Sequence, residues 1–441
     1  RGCLHKAFSQ LRANFRAAWF EHQEDHLSSI EALVHMPHIK RQLREEAFES
    51  LSEMGKLLDP LFTDHVRLKL KKMEFAKQGK YPRMIGDFST EGSLLGGYLM
   101  DYIKEAFIIG HSTGSSIFKF VKTVDVERIS ACFSEHATST GFLSTFHSDD
   151  NVISFDCTDG RFCANVDIST CDISNDEPIF EFLLLLTSDC PLANRLMRGL
   201  IEQCRLPSEL RNPHNSREKF TFNSRRPIEY SGSLLTTILN NVASMCIALY
   251  ISFTLRSRNT TREQAVDLIT ECARSIGYLV TVDPWERLED SQFLKYSGTL
   301  AGHNLFHSTG DEKVITAYPN LGPIIRSIGS VDYDFPVIKG NRKATLNERS
   351  EEFIRGVLLG CKHHGSNSIL NSLRTRFRVP IPDDPLDDNW VVNRYRVSHA
   401  QISSLCESIT GIIPGDHIMH LVVDRIMLKD YGYTPLHLDS G

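Results

Sequence analysis

The segment Cys157-Thr158-Asp159-Gly160 constrains the fold of this chain more than any other short feature. Asp-Gly between two apolar runs is a strong signal for a two-residue β-hairpin turn, because glycine adopts positive φ without steric cost. Val152 to Phe155 on one side and Phe162 to Val166 on the other are rich in β-branched and aromatic residues, and Phe142 to Phe146 is a third such run. Short strands with turns between them are the expected result. With Asp159 and Gly160 as the turn, Asp167 is expected opposite Val152, and Asn151 opposite Ile168.

Both outer ends of this hairpin are acidic. Ser148-Asp149-Asp150-Asn151 precedes the first strand, and Val166-Asp167-Ile-Ser-Thr-Cys-Asp172 closes the second. The chain runs away from Asp150, turns and climbs back to Asp167, so three carboxylates converge at one end of an antiparallel sheet. Like charges in a partly desolvated place repel unless cations neutralise them. Divalent magnesium prefers such oxygen ligands. Two ions ~3.5–4 Å apart would activate a hydroxyl and stabilise a leaving pyrophosphate, which is the chemistry of nucleotidyl transfer.

A second constellation is Ser231-Gly232-Ser-Leu-Leu-Thr236-Thr-Ile-Leu-Asn240. Gly232 gives a flexible entry to a helix, and Thr236 and Asn240, four residues apart, share one helix face. A hydroxyl and an amide side by side can read a ribose. The apolar run that follows, Leu234 to Leu255, has the length of a membrane span but carries Thr236, Thr237, Asn240 and Asn241, which are costly in lipid. A buried helix is expected, with no membrane insertion.

The 441 residues are 41% hydrophobic, ample for a core and several subdomains. A net charge of −6 argues against simple coating of nucleic acid, although a local basic channel remains compatible with it. Basic residues cluster at Lys69, Lys71, Lys72, Lys77, Lys80 and Arg83, at Arg217 to Arg226, and at Arg374 to Arg378. Eleven cysteines without a Cys-x-x-Cys pair fit a reducing compartment. Helical apolar spacing predicts helices over Arg41 to Leu58, Leu61 to Gln78 and Leu94 to Ile109, then Gly232 to Leu255 and Arg262 to Ile276. Tyr278 to Val282 reads as a strand, and helices dominate again from about Ala344.

Taken together these motifs resemble those of viral RNA-dependent RNA polymerases. Ser231-Gly-x-x-x-Thr-x-x-x-Asn240 is similar to their motif B at every defining position, Asp167-x-x-x-x-Asp172 to motif A, and Ser148-Asp149-Asp150 to motif C. Lys72-Met-Glu74 through Lys80-Tyr-Pro-Arg83-Met-Ile85 resembles motif F, Gly277-Tyr-Leu-Val-Thr281 the end of motif D, and Phe293-Leu-Lys295-Tyr296 motif E. The order is unusual. Val242 to Arg262 contains no Asp or Glu, so no metal-binding turn can follow motif B, and the acidic turn precedes motif A. This order resembles the permuted polymerases of birnaviruses and permutotetraviruses.

The resemblance implies an α+β right-hand polymerase fold of fingers, palm and thumb, with an antiparallel palm sheet and permuted C-A-B connectivity. Fingers are expected over 1–130, palm over 131–188, a fingers insertion over 189–228, palm again over 229–298, and a helical thumb over 299–441. Asp149 and Asp167, assisted by Asp150, would be catalytic and hold two Mg2+ (or Mn2+) ions. Asp172 and Asn240 would recognise the ribose 2'-hydroxyl with support from Thr236. Ser231 and Gly232 would form a loop sensing template and nucleotide. Lys72, Lys80 and Arg83 would bind triphosphate through charge-assisted hydrogen bonds, and Lys295 would touch the nascent RNA.

Implied partners are template RNA, nascent RNA and NTPs, with viral or host replication proteins besides, in the host cytoplasm or the virion. No Lys lies between Val280 and Leu294, so a motif D general acid is Arg287, a residue elsewhere, or absent. Only ~70 residues precede motif F, and the first residue is Arg1, which together suggest a fragment of a longer fingers region. Two rivals stand beside this reading: a reverse transcriptase or other palm polymerase, and a non-catalytic viral RNA-binding protein derived from a polymerase.

Overall fold

The alternation of residues along 142–168 becomes three consecutive antiparallel strands: β5 (Phe142–His147), β6 (Asp150–Cys157) and β7 (Gly160–Ile168). The computed structural model describes residues 2–21, 26–35, 41–53, 64–70, 84–108, 111–113, 116–212, 215–301, 314–328, 338–339, 342–361, 366–414, 416 and 418–432. They divide into two compact units. The first takes the described residues up to Thr123 and again from Thr138 to Pro284; the second takes Val124–Ala137 and what is described from Trp285 onward. The fold is mixed α+β, with several separate sheets.

In the first unit, β3 (His111–Thr113), β4 (Ser116–Phe120) and β10 (Val280–Pro284) complete a six-stranded sheet in the order β10-β7-β6-β5-β4-β3. Only β4 and β5 pair in parallel. Because side chains alternate across a strand, one face carries Phe142, Phe146, Ile153, Phe155, Phe162, Ala164, Val166 and Ile168, all buried in the main core. The other face carries Val152 and Asn165 and reaches its end at Asp150 and Asp167.

Helices cover the apolar face: α1 (Gly2–Glu21), α4 (Ser89–Ile108), α7 (Glu177–Leu186), α8 (Pro191–Gln203), α9 (Thr236–Leu255) and α10 (Arg262–Ser275) all contribute to that core. Helices α2 (His26–His35) and α3 (Arg41–Glu53) pack with α4 through a small cluster of Val34, Leu51 and Leu94. α9 is long and apolar enough to cross a membrane, yet most of it is buried inside this unit.

The register differs from the sequence expectation by one step of the ladder. The turn is Thr158–Asp159, and Gly160 pairs with Cys157, so Asp167 stands opposite Asp150 rather than Val152, and Asn151 opposite Val166 rather than Ile168. A tertiary contact explains the shift. The Arg262 amide at the start of α10 donates to Asp159 Oδ1 at 2.8 Å, and the Thr158 amide donates to the Thr260 carbonyl at 3.0 Å. Asp159 therefore satisfies an open N–H at a helix N-terminus, and Gly160 takes the positive φ of 131° just after the turn. Because the slip moves each partner by two residues, the faces stay as expected.

A smaller sheet in the same unit has the order β2-β1-β8-β9, from β1 (Val66–Leu70), β2 (Met84–Asp87), β8 (Ser208–Asn212) and β9 (Asn215–Phe222). The helix expected over Leu61 to Gln78 is contradicted here: Val66 and Leu68 alternate with Arg67 and Lys69, and their apolar face packs with Phe88 and Tyr230. An alternating stretch this short fits either period, and pairing with β2 and β8 decides for the strand.

The second unit holds α5 (Val126–Thr138), the strand pair β11 (Tyr296–Ala301) and β12 (Val314–Pro319), and the helices α11 (Leu321–Ile328), α12 (Leu346–Gly360), α13 (Ser368–Arg376), α14 (Asp388–Tyr395), α15 (His399–Thr410) and α16 (Leu421–Tyr431). Thr299, where helical structure was expected to begin, lies inside β11. Helices do dominate from Ala344, around a core that includes Leu358, Leu370, Trp390, Leu405 and Ile426.

Candidate active site

The acidic ends meet. Asp150 and Asp167 are direct partners across β6 and β7, and Asp149 occupies the two-residue turn that joins β5 to β6. Directly opposed side chains on one face have Cβ atoms ~4.5–5.5 Å apart, and like charges there destabilise the pair. His147 pairs with Asp150 on one side and Thr281 with Asp167 on the other, so one row of the sheet reads His147, Asp150, Asp167, Thr281. Asp149 and Asp150 are half-buried, and Asp167 is exposed.

The turn is held open at some conformational cost. Ser148 sits at φ 59°, a region non-glycine residues seldom enter. Three side chains of α9 hold it there. Asn241 Oδ1 accepts from the Ser148 amide at 2.6 Å, Ser244 Oγ donates to the Ser148 carbonyl at 2.7 Å, and Asn240 Nδ2 donates to Ser148 Oγ at 3.2 Å. Asn151, beside the turn, donates to the Ser244 carbonyl and accepts from Ser144 Oγ. The polar residues within the apolar run of α9 thus fasten the acidic turn to the core. Asn240, Ser244 and Asn151 have their polar ends engaged, whereas Asn241 Nδ2 is buried with no hydrogen-bond partner among the described residues.

Ser231 and Gly232 lie where β2 meets the start of α9. Ser231 bridges to Ile85, and the Gly86 amide donates to the Ser231 carbonyl at 3.3 Å. Gly232 has φ 88°, and a Cβ there would come within 2.8 Å of Ile85 Cγ2, so no other residue fits without movement. Thr236 Oγ1 donates to the Tyr230 carbonyl at 2.9 Å and closes the loop. Asn240 is 1% exposed and has both ends of its amide engaged, so a direct contact with a ribose requires it to release a present partner.

Asp172 lies in the first turn of α6 (Cys171–Ser174), half-buried, hydrogen-bonded to Glu229. Glu229 lies outside every sequence motif. It is 4% exposed, and its carboxyl is pushed up to about 9. Burial is the main cause; an Asn175 hydrogen bond opposes it, and the charges of Asp172 and Asp149 reinforce it. Glu229 is therefore neutral at pH 7 and can donate to Asp172. The folded chain keeps a proton that the unfolded chain releases near pH 4.5, so this stability is complete below about 4.5 and declines as pH rises toward about 9. Glu229→Gln, with the same shape and an N–H in place of the O–H, is expected to flatten that decline. Urea unfolding midpoints at pH 6 and pH 9 check it; an equally steep decline in the variant refutes the assignment.

Lys295 belongs to the second unit. Leu294 and Lys295 both have positive φ, 52° and 69°, and Phe293 and Tyr296 exchange backbone hydrogen bonds at 3.0 and 2.9 Å, which is the pattern of a tight two-residue hairpin turn. Lys295 is exposed at its tip, its ammonium 5.8 Å from the Tyr431 ring centre. Lys72, Lys80 and Arg83 lie outside the described residues. Among the described residues, no three His, Cys, Asp or Glu side chains are gathered as a bound metal would gather them. The donor set itself suits a hard divalent ion: oxygen ligands only, two of them opposed across one ladder.

No family model and no curated protein matches the chain. Solved structures do match. One is the structure of the RNA polymerase VP1 from Infectious Pancreatic Necrosis Virus, 12% identical, aligned over 89% of this chain and 57% of that one with a TM-score of 0.42. The chain spans a little over half the length of that polymerase.

Proposed function

We propose that this chain is a template-directed RNA-dependent RNA polymerase of viral type, with its motifs in the permuted order C, A, B. The observation that carries the reading is the direct pairing of Asp150 with Asp167, beside a turn holding Asp149 that α9 fastens in place. Opposed carboxylates beside a braced turn repel one another, and a bound divalent cation would offset that repulsion.

Asp149, Asp150 and Asp167 would hold two Mg2+ or Mn2+ ions, which lower the pKa of an attacking 3'-hydroxyl and neutralise charge on the leaving pyrophosphate. The chain's own residues supply the rest. Asp172, held by the neutral Glu229, presents an acceptor for a ribose 2'-hydroxyl, and Asn240 stands behind it. Ser231 and Gly232 form the hinge against which a nucleotide seats. Lys72, Lys80 and Arg83 bind the triphosphate, and Lys295 on its exposed turn contacts the nascent strand. In domain terms, 1–130 and 189–228 serve as fingers, 131–188 and 229–298 as palm, and 299–441 as thumb. Template RNA, nascent RNA and NTPs are the partners, in the host cytoplasm or the virion.

Primer extension on an RNA template with each nucleotide type tests the reading. NTP incorporation dependent on Mg2+ or Mn2+ supports it; incorporation of dNTP alone identifies a reverse transcriptase instead, and binding of RNA without extension a non-catalytic protein. Asn240→Ala is expected to lower the preference for NTP over dNTP by ~10-fold, the worth of one well-placed hydrogen bond to a polar partner. An unchanged ratio of kcat/KM values refutes a role in sugar choice.

A further inference from the structure

We infer that Asn175, at the C-terminal end of α6, is the positioning residue for ribose selection, setting both Asn240 and the partner of Asp172 through one side-chain amide. The inference rests on the polymerase reading and extends it to Asn175 and Glu229, which lie outside the motifs.

Asn175 is 5% exposed, and its amide is fully committed. Nδ2 donates to Glu229 Oε2 at 2.5 Å and to Asn240 Oδ1 at 3.0 Å, using both of its N–H bonds. Oδ1 accepts from the Tyr278 hydroxyl at 2.8 Å. Four segments distant in sequence therefore meet on this one group: α6 after the Asp167 strand, the loop before Ser231, the helix that fastens the Ser148 turn, and the Gly277–Tyr278 segment leading into β10.

The direction of the hydrogen bonds matters as much as their number. Tyr278 donates to Asn175, Asn175 donates to Asn240, and Asn240 is left with its nitrogen toward Ser148 Oγ. An acceptor at position 175 would reverse the chain, turning the Asn240 nitrogen toward 175 and its carbonyl toward Ser148. The same amide holds Glu229, which in turn carries Asp172. Removing it frees Asn240 and Glu229, the partner of Asp172, while Asp149, Asp150 and Asp167 make no hydrogen bond to it.

The test measures kcat/KM for an NTP and for the matching dNTP, in single-nucleotide primer extension by the whole chain, for wild type, Asn175→Ala, Asn175→Asp and Tyr278→Phe. The shift in melting temperature produced by each nucleotide gives a readout independent of turnover. Asn175→Ala and Asn175→Asp are expected to reduce the NTP:dNTP ratio by ~10-fold or more, mainly through a higher KM for NTP. Tyr278→Phe, which removes only the bond that orients Asn175, is expected to reduce it by ~3-fold. The excess melting shift with NTP over dNTP shrinks in parallel. Equal losses of kcat for both nucleotides with an unchanged ratio overturn the inference and leave Asn175 a packing residue. Where the Asn175 variants do not fold, Tyr278→Phe decides by the same ratio. A wild-type chain that extends no primer overturns the polymerase reading instead, and this inference with it.

Discussion

Asp149→Ala is expected to reduce nucleotide incorporation by more than ~100-fold, since loss even of groups one step behind a metal ligand costs up to that factor. RNA binding should change little. Asp149 lies in the turn between β5 and β6 and contributes none of the side-chain hydrogen bonds that α9 makes to Ser148, so its removal leaves the clamp intact. Asp167→Ala should reduce incorporation alike, and because it also relieves the charge opposed to Asp150 it is expected to change the melting temperature little. Single-nucleotide extension, RNA binding by fluorescence anisotropy and thermal melting separate these effects. Wild-type extension by Asp149→Ala would remove the metal-site assignment altogether.

The second large effect is expected in the second unit and concerns stability. Arg394 is 1% exposed and makes bonds in every direction its guanidinium allows. It donates to Asp430 Oδ1 at 2.8 and 3.2 Å, to the Glu289 and Ser291 carbonyls at 2.8 and 3.1 Å, and to Gln292 Oε1 at 3.2 Å. Asp430 Oδ2 accepts in turn from the Tyr395 hydroxyl and the Gly322 amide, both at 2.8 Å. Gly322 admits no side chain, because a Cβ would lie 2.6 Å from Asp430 Cβ. The network joins the segment before Phe293 to α11, α14 and α16 around a desolvated ion pair.

Removing one partner of such a pair leaves the other charge buried and uncompensated, at a cost of ~3–5 kcal/mol. Arg394→Met is therefore expected to lower the melting temperature of this unit by ~6–20 °C. Arg394→Met with Asp430→Leu should recover part of the loss, though Tyr395 and Gly322 remain without their acceptor. A calorimetric trace in which Arg394→Met melts as wild type does would show that the buried pair contributes nothing.

The acidic site is legible in local sequence only in part. The apolar runs around Cys157 to Gly160 and the carboxylates at their ends could be read directly, because strand alternation and turn chemistry act over a few residues. That Asp150 would stand opposite Asp167 could not be read from local chemistry, which favours Asp-Gly as the turn. The N-terminus of α10, about a hundred residues away, draws Asp159 into the turn and moves the ladder.

Residue type and short-range spacing alone determined the three central strands, the buried character of α9 and the identity of the carboxylates that meet. Only the tertiary structure decided the register that opposes them, the strand rather than helix at Val66–Leu70, and the hydrogen-bond partners of Asn241, Ser244, Asn175, Glu229 and Tyr278. The physical reason is range. Periodicity and turn preference are set by neighbours along the chain, whereas a hydrogen-bond partner or a desolvated carboxyl is set by whatever the fold brings within about 3 Å.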